Sequence, residues 1–399
     1  MNSISSTLKN LRALIETFPK KANSVVVVSP FRVETQIARW KTYLPNISPF
    51  YAVKSNPCTV LLSELSNRGI GFDCASLQEV YAVKKLNSSS IVYAHPMKSE
   101  NEITAIDSLN IETTVVDSVE ECLKLDAIGW AGSALVRVAV DDTNSDMPFS
   151  SKFGASMKEV TQIAEASKIP ITGVSFHVGS GCKDPKQYTE AIKYAGGPIF
   201  SILKQYKHHP TIVDIGGGFS SKRENFLPVV EAILNAPLHR RIKMIAEPGR
   251  YFSEGFQDLF VKVIAKKPGI DGKGWRYIIN ESLYGYFSCI PFDKQRPSWI
   301  VFSSNRYKST KKESSVIFGR TCDSLDVIAK GNMEEMEVGD WLYFPLMGSY
   351  TNSTASEFNG FPKPVKIIDT NELLPDLDVA WEMKESADFA NKYEYIKSL

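Results

Sequence analysis

Net charge is nearly absent from this 399-residue chain. Its 46 lysines and arginines meet 45 aspartates and glutamates, so no one-signed field exists to draw in nucleic acid or a membrane surface. A small ligand is the expectation. Paired cysteines are absent too: Cys58, Cys74, Cys122, Cys182, Cys289 and Cys322 lie scattered, with no CxxC spacing. With an N-terminus that has no charged-then-apolar signal pattern, this predicts a reducing, cytoplasmic setting. Long apolar runs are missing, since VVVV at 25–28 falls far short of the roughly 20 residues of a membrane-spanning helix. No HxH or HExxH spacing occurs. His95, His177, Asp73 and Asp214 are ligand-type residues, but without such spacing no metal is expected.

What is present is size and rhythm. A single hydrophobic core usually stops growing before this length, so two domains are expected, and 43% apolar residues suit a globular chain. From Pro49 onward, short apolar runs ending in polar or glycine residues alternate with segments of helical period. The runs are FYAVK (50–54), GFDCAS (71–76), IVYAHP (91–96), TTVVDS (113–118), SALVRVAV (133–140), GVSFHVGS (173–180), TIVDIGGG (211–218) and KMIAEPGR (243–250). TVLLSELSNRG, SLQEVYAVKKL, SVEECLKLDAIG and MKEVTQIAEASK carry apolar residues three and four apart, and Ser118 is placed to cap a helix over Val119 to Ile128.

Eight strand–helix units in succession predict an α/β fold, a TIM-type (β/α)8 barrel over 30–256. After about Phe256 the texture changes. VIFGRTCDSLDVIA and DWLYFPLMGSYT read as strands joined by turns, which predicts a mostly β domain over 257–399, with the segment 1–29 lending its VVVV run to that sheet. RYKSTKKESS, 306–315, reads as a polar, mobile loop.

In such a barrel the chemistry sits where strands end. The run ends supply Lys54, Asp73, His95, Asp117, Arg137, His177 with Ser180, Asp214 with Gly216 to Gly218, and Glu247 with Arg250. Each has a plain structural reading: a solvated strand end for Lys54, a tight turn for the glycines, a satisfied core imidazole for His177. The glycine run does not satisfy a dinucleotide fingerprint, yet its backbone N–H groups suit one phosphate. A lysine, a phosphate cradle and a buried carboxylate together are what pyridoxal 5'-phosphate requires, with the acid facing the ring nitrogen. That requirement selects Glu247.

YAVKSNP, GFDCAS, FHVGSGC, DIGGGF, EPGRYF, TCDSLD and MGSYT followed by FNGF resemble, in order, the signature segments of the eukaryotic-type ornithine decarboxylases, fold-type III pyridoxal phosphate enzymes. The resemblance runs from about Pro49 to Phe361. It implies an alanine racemase-like barrel followed by a β domain, and decarboxylation of L-ornithine to putrescine for polyamine biosynthesis. Lys54 is then the Schiff-base lysine, His177 stacks on the cofactor ring, and Glu247 pairs with its nitrogen. Ser180, Gly217, Gly218, Arg250 and Tyr350 hold the phosphate, with Asp73 and Arg137 beside the lysine. Cys322 protonates the carbanion from across a homodimer interface, Asp293 and Asp323 grip the distal ammonium of the substrate, and Phe358 lines the same pocket. A carboxylate at 247 favours a decarboxylase over a racemase, which usually faces that nitrogen with arginine.

Three positions depart from the pattern. Arg320 stands where proline is usual, Glu281-Ser282 replaces Asp-Gly, and Phe292 replaces tyrosine before Asp293. If Arg320 shares a strand face with Cys322 it opposes a substrate ammonium, unless Asp323 or Glu281 neutralises it. The alternatives are therefore a same-mechanism decarboxylase for lysine, arginine or diaminopimelate, or a non-catalytic protein resembling the antizyme inhibitors. Cys322-Asp323-Ser324 argues against diaminopimelate, and retention of Lys54, Glu247 and Cys322 argues against loss of catalysis. No Pro/Glu/Ser/Thr-rich tail follows KYEYIKSL, so tail-driven degradation is not expected, and binding of an antizyme-like regulator is not readable.

Overall fold

The structure, a computed structural model, describes residues 2–88, 90–270, 272–303, 312–386 and 393–394. Two compact units emerge: Gln36–Phe252, and Met1–Thr35 with Ser253–Leu399. The first division falls inside one helix, Pro30–Tyr43.

All eight predicted runs are strands of one closed parallel barrel: Ile47–Ala52, Gly71–Cys74, Ile91–Tyr93, Thr113–Val116, Ser133–Arg137, Ile171–Ser175, Ile212–Asp214 and Lys243–Ala246. The last pairs with the first, Ile245 opposite Ser48. Inward residues Val92, Val115 and Leu135 pack with Phe50, Ile212 and Ile245 to fill the interior, so the barrel is a core and not a pore. Local chemistry sets the helix limits. Ser118 Oγ accepts from Glu121 N at 3.3 Å, and the helix Val119–Ile128 closes at Gly129, whose φ of +81° only glycine adopts freely. Reciprocal Ser–Glu caps start Glu100–Ser108 and Met157–Ala166.

The other unit is a mixed sheet in the order Ile300–Phe302, Trp341–Phe344, Gln257–Pro268, Trp275–Ile279, Lys312–Phe318, Val327–Glu334, Tyr393–Glu394. The VVVV run, in Ser24–Val28, pairs antiparallel with Gln257–Val261 and parallel with Val365–Ile368. Its core collects Leu11, Leu14 and Phe18 of the N-terminal segment against Val25, Val27, Phe260, Phe302 and Tyr343. Fully buried Arg32 makes a two-pronged ion pair with Asp258, 2.9 and 3.0 Å, and Asp258 also accepts from Tyr343 Oη and Leu346 N. That carboxylate has donors enough to be stable without water.

Three readings of this half change. Lys312–Ser315 begin a strand instead of ending a loop, and 306–311 lie outside the described residues. VIFGRTCDSLDVIA divides into strand, turn and strand, so the strand setting considered for Arg320 and Cys322 changes. Val316 to Phe318 close one strand, Val327 opens the next, and Gly319 to Asp326 form the turn between them, because buried Asp326 accepts from Thr321 N, Thr321 Oγ1 and Leu283 N. Cys322 therefore sits on an exposed turn. Helices Asn2–Glu16, Cys289–Asp293 and Leu377–Glu385 flank a part expected to be nearly all β. No helix among the described residues is long and apolar enough to cross a membrane.

Candidate active site

Lys54 lies in a short 3-10 turn, Val53–Ser55, directly after the first barrel strand. Val53, Ser55 and Asn56 are buried while Lys54 is exposed, and the turn is locked by Tyr51 Oη donating to Asn56 O (3.0 Å) and Cys58 N donating to Asn56 Oδ1 (3.0 Å). The strand thus ends in a rigid platform that points an amine outward.

His177 follows the strand Ile171–Ser175. Its Nδ1 accepts from Gly179 N at 2.9 Å, which places the ring proton on Nε2, and Phe149 packs edge-on at 4.9 Å. Burial, then the charges of Arg137 and Lys54, hold its pKa well below the usual imidazole range, so the ring is neutral. The glycines 216 to 218 pack against this segment with no room for side chains. A Cβ at Gly217 would lie 2.8 Å from Glu247 O and 2.9 Å from His177 Nε2; one at Gly218 would lie 2.7 Å from Gly179 O. What remains is a surface of bare backbone beside Ser180, whose Oγ accepts from Arg250 at 3.2 Å.

Asp73, Arg137, Asp214 and Glu247 crowd the strand ends. Arg137 is held over the Phe153 ring at 4.7 Å, and its pKa is lowered by burial against the opposing pull of Glu247, Asp117, Asp73 and Asp214. Burial raises Asp73 well above the carboxylate range, with Glu247 adding repulsion. Two atoms are conspicuous: Asp73 Oδ1 and Asp214 Oδ2 are buried and meet no N–H or O–H donor. An amine on a platform, a backbone cradle and the orphaned oxygen of Asp73 together suit a polar ring compound carrying a phosphate and an aldehyde.

The five remaining candidates belong to the sheet unit, where they form two groups. In the first, Tyr284 stacks on Phe358 (4.2 Å between centroids) and its hydroxyl donates to Asp323 Oδ2, which lowers the Asp323 pKa; Cys322 N donates to Asn359 Oδ1 at 2.9 Å. In the second, Gln295 Nε2 bridges Asp293 Oδ2 (2.6 Å) and Ser349 O (2.8 Å), next to Tyr350. Arg320 lies over the Phe361 ring at 4.7 Å and donates to Pro362 O at 2.6 Å. Buried Glu281 faces it, so two of the three departures from the family pattern are partners in charge. Sequence reading missed Tyr284, Asn359 and Phe149. No motif marks them, because each matters only through a neighbour distant in the chain.

Residues 31–254 match the family described as "Pyridoxal-dependent decarboxylase, pyridoxal binding domain", and 256–348 match "Pyridoxal-dependent decarboxylase, C-terminal sheet domain". The ornithine decarboxylase of Mus musculus is 36% identical over 353 residues, covering 82% of this chain and 76% of the mouse protein. Among solved structures, the Paramecium bursaria Chlorella virus arginine decarboxylase bound to agmatine superposes with a TM-score of 0.84 at 32% identity, covering 90% of this chain and all of that one. The lysine/ornithine decarboxylase of Vibrio vulnificus complexed with cadaverine follows at 0.78 and 28%, covering 92% and 98%.

Proposed function

The chain is an amino-acid decarboxylase of the pyridoxal-dependent family, and on that premise we propose that it converts L-ornithine to putrescine with active sites shared across a homodimer in the cytoplasm. Pyridoxal phosphate, once bound, supplies the electron-withdrawing ring that stabilises the carbanion left when carbon dioxide departs. Lys54 would be the amine to receive the cofactor's aldehyde. Ser180, Gly217, Gly218 and Arg250, with Tyr350, would hold its phosphate; Asp73 and Arg137 set the charge around the lysine; neutral His177 would offer a flat ring face; Glu247 would meet the ring nitrogen. Cys322 Sγ delivers the proton to the α-carbon.

Substrate choice rests on one observation. Tyr284 orients the Asp323 carboxylate, Phe358 lies against Tyr284, and Arg320 is engaged elsewhere, by Phe361, Pro362 and Glu281. Asp323 therefore stays an anion suited to a distal ammonium, with Asp293 as the second acid. A second reading, the same chemistry on lysine or arginine, draws on exposed Phe292 next to Asp293 and on the viral arginine decarboxylase.

The deciding experiment is kcat/KM across ornithine, lysine, arginine and diaminopimelate. Ornithine is expected to lead, and Asp323→Asn to lower its kcat/KM about 30-fold or more, mainly through KM. A lead for arginine or lysine moves the assignment to that amino acid. Colourless protein that releases no carbon dioxide from any of them would place the chain with non-catalytic relatives.

A further inference from the structure

Asp214 ends the barrel strand next to the one that carries Glu247, and the Glu247 N–H donates to Gly216 O at 2.7 Å, which draws the two side chains together. Asp214 is completely buried. Its Oδ1 accepts from Gly216 N at 2.9 Å, while Oδ2 meets no N–H or O–H donor, although the carboxyl of Glu247 is within hydrogen-bonding reach. Two ionised carboxylates in that contact would repel, and the buried oxygen would bear its full desolvation cost. One proton between them converts the contact into a hydrogen bond.

We propose that Asp214 is a positioning residue held in its protonated form, whose O–H donates to Glu247 and aims that carboxylate at the ring nitrogen of the cofactor. The inference rests on the cofactor reading above and adds where a proton resides. Burial assigns it to Asp214. Both acids feel Arg137, but Glu247 is only half-buried and faces Lys54 as well, so the negative charge is less costly there than on fully enclosed Asp214.

The charged surroundings agree. Lys54 comes from the first strand's turn, Asp73 from the second strand, Asp117 from beyond the fourth and Arg137 from the fifth, while His177, after the sixth, is neutral. Four carboxyl groups thus meet two cations. Burial pushes both members of the pair up from the carboxylate range, and the charge of Asp214 adds to the cost of ionising Glu247. With Asp214 O–H donating to one side of it, Glu247 would keep its other side free to meet the ring nitrogen of a bound cofactor. No bond other than hydrogen bonds forms or breaks.

The test uses 4′-deoxypyridoxine 5′-phosphate, which keeps the ring nitrogen and phosphate but has no aldehyde for Lys54. Asp214→Asn retains an oxygen for Gly216 N and places a permanent N–H donor toward Glu247. It is expected to bind the probe within about threefold of wild type at pH 7. Wild-type affinity is expected to fall at alkaline pH, as Asp214 ionises, more steeply than that of Asp214→Asn, in which that group no longer titrates. Asp214→Ala, which cannot donate, is expected to lose about tenfold or more. Infrared difference spectra should show a protonated-carboxyl C=O band in wild type, with or without probe, that Asp214→Asn lacks. Tight binding by wild type with a loss in Asp214→Asn equal to that in Asp214→Ala overturns the assignment alone. Failure of wild type to bind the probe overturns the cofactor reading beneath it. Should Asp214→Asn not fold, the pH profile of Asp214→Ala decides: wild-type affinity for the probe that falls at alkaline pH more steeply than that of Asp214→Ala supports the proposal, and parallel profiles overturn it.

Discussion

Glu281 shows what a single buried acid does to stability. Burial raises its pKa to about 7, against the opposing pull of Arg320 and the N–H groups of Ser282 and Tyr286. A raised carboxyl binds its proton more tightly in the folded state, so the stability it contributes is fully present below the unfolded value of roughly 4.5 and is lost as pH rises through about 7. The effect is on the order of a few kcal/mol for so buried a group. Glu281→Gln is therefore expected to flatten the decline in Tm between pH 5 and pH 8 (about those values) in thermal melts. At this scale the sequence was readable where chemistry and position coincide, as for Lys54, His177 and Glu247 at strand ends. It was silent on Tyr284, whose value comes from lying between Phe358 and Asp323.

Elements carry the next set of constraints. The eight strands and the helix Val119–Ile128 were legible because periodicity, a capping serine and a terminating glycine all act within a few residues. The turn Gly319 to Asp326 was not, since Asp326 organises it through Leu283 N as well as Thr321, a contact no local pattern encodes. Arg320 and Cys322 consequently do not sit two apart on one strand, and the feared clash with a substrate ammonium loses its premise. The glycine run gives a sharper test. Gly217→Ala would press a methyl group against His177 Nε2 and Glu247 O, so cofactor affinity is expected to fall about tenfold or more. The apoprotein's Tm should move by only a few degrees, as for one crowded contact at a barrel rim. Equilibrium dialysis and a thermal melt on the same sample separate the two.

For the whole molecule, the prediction concerns copies of the chain. If sites are shared in a homodimer, Lys54→Ala and Cys322→Ala chains are each inactive, yet mixing them in equal amounts restores about a quarter of wild-type activity, because half the dimers are mixed and each has one intact site. No recovery after exchange would confine the site to one chain. The sequence alone determined the barrel, its strand order and the chemical character of its mouth, because strand period, helix caps and strand-end residues are local. Only the tertiary structure decided that Arg320 faces Glu281, that Tyr284 aims Asp323, and that Asp214 and Glu247 meet. Those are pairings of charge and burial between distant segments, and their energies exist only once the chain has brought the groups together out of water.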